Sequence, residues 1–253
     1  MNKIRITPSV IPNLFTAMNM FSGFLSIIYT AKGGTENFHI AALCIVLAAI
    51  FDTLDGAMAR LTHSSSEIGV ELDSLSDVIS FGAAPAFLIY STYFNDFNPI
   101  GLGILFASLP MIAGGFRLAR FNVQLVGFEK SSFKGLPIPA SGMALAAFIL
   151  AFYEKDFPQQ LVVFILPLVL ILSYLMVSTI KYDTFPKFSL KAIKEKPLYP
   201  FIILVSLISY AFFQDITKVF FFFFVLLISL GILRHIFNFF KMKSSNKKRT
   251  QSV

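Results

Sequence analysis

The chain holds no tryptophan, one cysteine and three histidines, and only 14% of its 253 residues are charged. Each shortage closes a class of protein. A lone Cys44 permits no intrachain disulfide framework, and with His39, His63 and His235 scattered along the chain it offers no zinc or iron–sulfur ligand spacing. Cys44 lies inside an apolar run and reads as packing; His39 and His235 read as interfacial polar residues, and His63 lies in the link beside Arg60. So few charges leave too little polar surface to coat a soluble globule of this length.

Hydrophobic residues take up the difference, at 56% of the chain. They fall in runs close to the roughly 17 to 25 residues that a helix needs to cross a hydrocarbon core of about 30 Å. Eight such segments are expected, near 10–30, 38–60, 70–92, 99–120, 137–153, 159–180, 198–213 and 216–237. The expected fold is therefore all-α: a polytopic membrane helical bundle of about eight transmembrane helices in a single integral membrane domain. Residues 10–180 would form a six-helix catalytic core, 198–237 two additional helices and 238–253 a basic tail. Lys3 and Arg5 precede an apolar stretch as in a signal peptide, but Pro8 and Pro12 interrupt it, so the segment reads as retained.

With both termini cytoplasmic, 18 of the 21 basic residues lie on the cytoplasmic side and only Lys32, Lys155 and Lys218 on the other. That bias sets the orientation and calls for an even number of helices. The formal charge of +7 is spread over the loops and tail, where anionic lipid headgroups are nearer partners than nucleic acid, which is not expected to bind. The run Phe220 to Phe224 reads as lipid-facing and interhelical filling, and no internal repeat of the transporter type is visible.

Against this apolar background four carboxylates stand out. FDTLDGAMAR (Phe51 to Arg60) and EIGVELDSLSDVISFGAAPA (Glu67 to Ala86) place Asp52, Asp55, Asp73 and Asp77 in membrane segments. A charge near the bilayer centre costs about 3 kcal/mol on insertion scales, so four within 26 residues require a common explanation. Asp52 and Asp55 are three apart and share a helix face; Asp73 and Asp77 are four apart and share a face of the next helix. The short link from Leu61 to Ile68 makes the two helices antiparallel neighbours, so all four can converge on one pocket near the cytoplasmic side. Oxygen-rich clusters suit hard divalent ions such as Mg²⁺ or Mn²⁺, and four carboxylates leave room for two. A hydrated salt-bridge network is the bland alternative. Only Arg60 and His63 are nearby to balance it.

Gly56, Ala59 and Gly69 are small enough to admit a bulky substrate or another backbone. Arg60, one turn beyond Gly56, is placed to hold a phosphate oxygen. Together these are the parts of a pyrophosphate site with its metals. Ser74, Ser76 and Ser80 flank the aspartates but lack the orienting histidine of a hydrolase nucleophile, and read as packing or hydrogen-bonding residues.

The spacing D-x2-D-G-x2-A-R-x8-G-x3-D-x3-D is, without a gap, the signature of the CDP-alcohol phosphotransferase family, which this chain resembles. The resemblance implies Asp52, Asp55 and Asp73 as metal ligands, Asp77 as ligand and general base, and Gly56, Ala59 and Arg60 beside the nucleotide and its phosphates. Within that family LDSLSDVISFGAAPA, GFRLARFNVQ (Gly115 to Gln124) and FKGLPIPAS (Phe133 to Ser141) look like the bacterial membrane-embedded phosphatidylserine synthases. Relatives that use glycerol phosphate usually carry proline and lysine where this chain has Ser74 and Val78. PNLFT (Pro12 to Thr16) is similar to a family segment that approaches the nucleotide, which adds Asn13 and Thr16.

The implied reaction joins CDP-diacylglycerol and L-serine, releasing CMP, in a homodimer of the bacterial inner membrane. Arg117 and Arg120 are candidates for a substrate phosphate or the serine carboxylate, with snorkelling at a helix end as the alternative. Lys134 is a candidate for a lipid phosphate. Two rivals stand beside this reading: a sister enzyme with another acceptor such as glycerol 3-phosphate or inositol phosphate, and a divalent-cation transporter with aspartates along its path.

Overall fold

The computed structural model describes residues 10–62, 66–126, 135–154, 162–180 and 215–250. Among these there is no strand. Seven helices follow in order: α1 (Val10–Lys32), α2 (Thr35–Leu61), α3 (Glu67–Phe94), α4 (Ile100–Val126), α5 (Ile138–Phe152), α6 (Val162–Val177) and α7 (Ile216–Thr250). Five of them, α1 to α4 and α7, are long and apolar enough to cross a membrane; α5 and α6 are shorter apolar helices. Seven of the eight expected segments are thus helices, and the expected segment 198–213 lies outside the described residues, as does the tail beyond 250. The chain is a polytopic helical membrane protein.

The turn between α1 and α2 is two glycines, Gly33 and Gly34, at φ 69° and 87°, a left-handed backbone that disfavours side chains. It folds α2 back along α1, and these two helices share the most extensive interface of the bundle. α1 is built inside out. Its buried positions are Pro12, Thr16, Asn19, Ser22, Gly23, Ser26 and Thr30, whereas Leu14, Phe21 and Phe24 are exposed. In lipid there is little hydrophobic reward for burying leucine, so small residues that let backbones approach face the interior and large apolar ones face the acyl chains. α1 uses the same face against α3: Ser76 Oγ donates to the Thr16 carbonyl (3.1 Å), Ser80 Oγ donates to the Asn19 carbonyl (2.9 Å), and a Cβ on Gly23 would collide with Ser80.

α3 is not a uniform α-helix. Its hydrogen-bond ladder widens to π-helical turns at Val78–Ala83 and Tyr90–Phe94. Such wide turns are concentrated at functional sites, and the first begins directly after Asp77. α5 sits at the centre, with 12 residues buried, most of them small. A Cβ on Gly142 would stand 2.9 Å from Phe81 Cα, so this glycine sets how closely α5 approaches α3. α7 docks on α5 through Phe221, whose ring lies 5.5 Å from Phe148 and 5.2 Å from Phe152. Phe224 is buried as well, so part of the phenylalanine run is interhelical filling, as the sequence suggests.

Candidate metal and substrate site

The four aspartates meet. One carboxylate oxygen from each of Asp52, Asp55 and Asp73 lies within 4.8 Å of the others. Asp77 joins them, its carboxyl group within hydrogen-bonding reach of Asp52. Asp55 and Asp77 are only 6% and 7% exposed, so the cluster is set into the bundle rather than on its surface. At 4.8 Å and an effective dielectric constant of about 20, each ionised pair repels by about 3.5 kcal/mol. Three such pairs rival the whole stability of a small domain.

Two features of the structure show that this set suits divalent ions. The donors are all hard carboxylate oxygens at separations that one or two small ions bridge. Furthermore, Asp73 Oδ1 and Asp77 Oδ1 are buried with no hydrogen-bond partner, an arrangement that costs several kcal/mol unless a cation or substrate completes it. Among the described residues the one ion pair found is Lys218 with Asp215, at the other end of the chain, so Arg60 forms no direct salt bridge with the aspartates; His63, the other cation of the salt-bridge alternative, lies outside the described residues.

The walls come from three helices where the sequence pattern suggested two. α2 carries Asp52 and Asp55, α3 carries Asp73 and Asp77, and α1 is wedged against both. Thr16 Oγ1 donates to Asp55 Oδ2 at 3.0 Å, fixing one oxygen and leaving the other to a cation. Asn13 reaches the start of α3: a Cβ on Gly69 would stand 3.2 Å from Asn13 Oδ1 and 3.0 Å from Ser66 Oγ, which caps α3 by accepting from Gly69 N–H. Gly56 has a related role on α2, where Arg60 Nη1 would stand 3.4 Å from an added Cβ. Arg60 itself is exposed and folds back over Gly56, beside half-buried Ala59. Of the predicted substrate residues, Thr16 touches the carboxylate cluster directly, Asn13 and Gly69 lie together at the start of α3, and Gly56 and Arg60 lie together on α2.

The two arginines of α4 part company. Arg120 turns to the end of α6, donating to the carbonyls of Val177 (2.9 Å), Ser178 (3.3 Å) and Met176 (3.4 Å). These carbonyls have no intrahelical partner, and a guanidinium is a suitable cap for them. Gly135, at φ 88°, closes the same end: its N–H donates to Ile180 O, and the next N–H to Leu175 O. A Cβ there would collide with the Met176 carbonyl. Arg117 instead lies within electrostatic range of Asp77, and its Nε is buried without a partner. Lys134 and His63 lie outside the described residues.

Two polar residues escaped the sequence reading. Asn122 donates from Nδ2 to Ser74 Oγ (3.1 Å) and Glu71 Oε2 (3.3 Å), tying α4 to α3 one residue past Asp73. Asn122 does lie in the GFRLARFNVQ run, so position was the available signal. Asn19 is fully buried on the α1 face that carries Thr16, with both side-chain polar atoms unpaired. A small polar residue in an apolar helix gives little indication of which way it points.

Comparison with known proteins supplies the wider context. Residues 9–180 match the model of the CDP-alcohol phosphatidyltransferase family. A Helicobacter pylori protein named CDP-diacylglycerol–serine O-phosphatidyltransferase is 38% identical over 177 residues, covering 70% of this chain and 73% of its own. The archaetidylserine synthase of Methanothermobacter thermautotrophicus is 40% identical over 185 residues, covering 72% and 73%. A Bacillus subtilis protein with the same name as the Helicobacter one is 36% identical over 185 residues, covering 70% of this chain and 92% of its own.

Proposed function

Because the chain belongs to the CDP-alcohol phosphatidyltransferase family, we propose that it transfers the phosphatidyl group of CDP-diacylglycerol to L-serine, yielding phosphatidylserine and CMP. The observation that carries this reading is the convergence of Asp52, Asp55, Asp73 and Asp77, the four carboxylates of the signature, from two neighbouring helices. Serine as acceptor is supported by the names of the three relatives and by Ser74 and Val78, which stand where glycerol-phosphate-using relatives carry proline and lysine.

The residues divide the work. Gly56 leaves room beside α2 for the nucleotide, and Arg60 lies over that gap to bind phosphate oxygens. Asn13 and Thr16 hold the α1 side of the pocket, with Thr16 keeping Asp55 in place. Asp77, the most deeply set carboxylate on α3, takes the proton of the serine hydroxyl as that oxygen attacks the phosphorus attached to the lipid. The phosphoanhydride bond breaks and CMP leaves; direct displacement needs no protein nucleophile. When bound at Asp52, Asp55, Asp73 and Asp77, divalent cations, two in number and either Mg²⁺ or Mn²⁺, supply the positive charge that neutralises the pyrophosphate and makes CMP a better leaving group. The pocket opens to the cytoplasmic side in this reading, where serine and CMP exchange with water while donor and product stay in the bilayer. The functional unit is a homodimer.

The deciding experiment supplies the purified chain in detergent with CDP-diacylglycerol, Mg²⁺ or Mn²⁺, and labelled serine or glycerol 3-phosphate. Metal-dependent release of CMP together with labelled lipid from serine is the expected result. Lipid from glycerol 3-phosphate alone reassigns the acceptor, and absence of CMP with every alcohol overturns the assignment.

A further inference from the structure

α3 carries a carboxylate that stands beside the metal cluster without belonging to it. Glu71 is not among the acids whose oxygens close to within 4.8 Å of one another, and among the described residues no cation pairs with it. Its partner comes from α4. Asn122 Nδ2 donates to Glu71 Oε2 at 3.3 Å and to Ser74 Oγ at 3.1 Å, and its Oδ1 lies 3.4 Å from the same hydroxyl. Glu71, Ser74 and Asp77 are spaced by three, so they form a slanting strip along successive turns of α3. The strip also grades in depth, with Glu71 exposed, Ser74 half-buried and Asp77 buried.

We infer that Glu71, Ser74 and Asn122 receive the ammonium group of the acceptor, so that the chain selects an amino alcohol. This rests on the phosphatidyl-transfer reading and deepens it. The three side chains offer a carboxylate, a hydroxyl and an amide carbonyl, three oxygen acceptors from two helices with a single negative charge between them. A primary ammonium has three N–H donors and one positive charge, and so matches the set in number and in sign. A phosphate or carboxylate brought to the same place is repelled by Glu71. The 3.3 Å contact from the Asn122 amide is long, and an ammonium displaces it because a charge-assisted bond to a carboxylate is the stronger one. In serine the amine and the hydroxyl sit on adjacent carbons. An ammonium held at Ser74 therefore leaves the hydroxyl free to point to the next step of the strip, where Asp77 takes its proton. Glu71, Ser74 and Asn122 determine specificity and move no proton themselves.

The test compares Glu71→Gln and Asn122→Ala with the wild type, as full chains in detergent with CDP-diacylglycerol and Mg²⁺ or Mn²⁺. Glu71 is exposed, so its substitution leaves the interior packing intact. The acceptors are serine and 3-hydroxypropionate, which keeps the hydroxyl and the carboxylate but lacks the amine. Wild type is expected to favour serine strongly. In Glu71→Gln the KM for serine should rise roughly ten- to hundredfold, and the serine preference in kcat/KM should fall by a similar factor. The KM for CDP-diacylglycerol and the metal concentration for half-activation should stay where they were. Asn122→Ala should show a smaller loss of the same preference. An unchanged KM for serine in Glu71→Gln overturns the inference. So does an equal fall for both acceptors with a lower melting temperature, which makes the three residues a tie between α3 and α4, or a raised metal requirement, which makes Glu71 a ligand. Comparable turnover of the two acceptors by the wild type is equally fatal. Absence of CMP release from the wild type with any acceptor is a different failure, that of the parent reading, and takes this inference with it.

Discussion

Two regions of the bundle follow opposite rules. Where α1 meets α3 and the Asp55 end of α2, the interior is rich in threonine, asparagine, serine, glycine and aspartate, and several of its polar atoms lack partners. Toward α7 it is phenylalanine against phenylalanine, with ring centroids 5.2 to 5.5 Å apart. The aromatic side is complete as it stands, because dispersion contacts need nothing further. The polar side is incomplete by construction, and its unsatisfied oxygens point to what it binds. The lesson is that stability and function are separated in space, and substitutions on the two sides should fail in different ways.

The comparison breaks most sharply at Asp77. Asp77→Asn should lower kcat by a factor on the order of a thousand, while equilibrium binding of CDP-diacylglycerol stays measurable. Loss of binding in parallel with turnover would mean that Asp77 serves the donor and is no base. Next comes metal removal: chelation should abolish turnover, with Mg²⁺ or Mn²⁺ restoring it, and Asp52→Asn should raise the metal concentration for half-activation about tenfold or more. A variant with reduced turnover but unchanged metal titration would place Asp52 outside the ligand set. Thr16→Val removes the hydroxyl that steadies Asp55 and should cost roughly tenfold in kcat/KM, with little change in thermal stability. On the aromatic side Phe221→Ala should lower the melting temperature in detergent and leave the KM for both substrates unchanged. A change in serine KM from that variant would erase the separation.

Much of this organisation was legible in the sequence. Hydrophobic run length located the helices because a bilayer imposes one, and α1 to α4 begin and end within a few residues of expectation except that α4 continues to Val126. The carboxylate pocket was legible because charge is expensive in lipid and helical spacing fixes which aspartates share a face. Three things were hidden. The wedge of α1 against both acidic helices depends on small polar residues whose direction no periodicity of hydrophobicity reveals. The π-helical turn after Asp77, packed against α1, α4 and α5, has no counterpart in the hydrophobic periodicity. Finally, Arg117 and Arg120 look alike in the sequence, three residues apart on one helix; only the position of the end of α6 separates a cap from a free guanidinium edge.

The inside-out character of α1 and the acidic start of α3 also bear on how the protein is made. Glu67, Glu71, Asp73 and Asp77 crowd the first half of α3, and each carboxylate near the membrane core opposes partitioning by about 3 kcal/mol, against about 0.5 kcal/mol gained per leucine or isoleucine. Taken alone, the acidic first half of α3 is a poor candidate for entry into a bilayer. α1 and α2 leave the ribosome first, and α1 already presents the Thr16 and Asn19 carbonyls that Ser76 and Ser80 will meet. The order of synthesis thus sets the groups that will receive the catalytic helix in the membrane before that helix arrives.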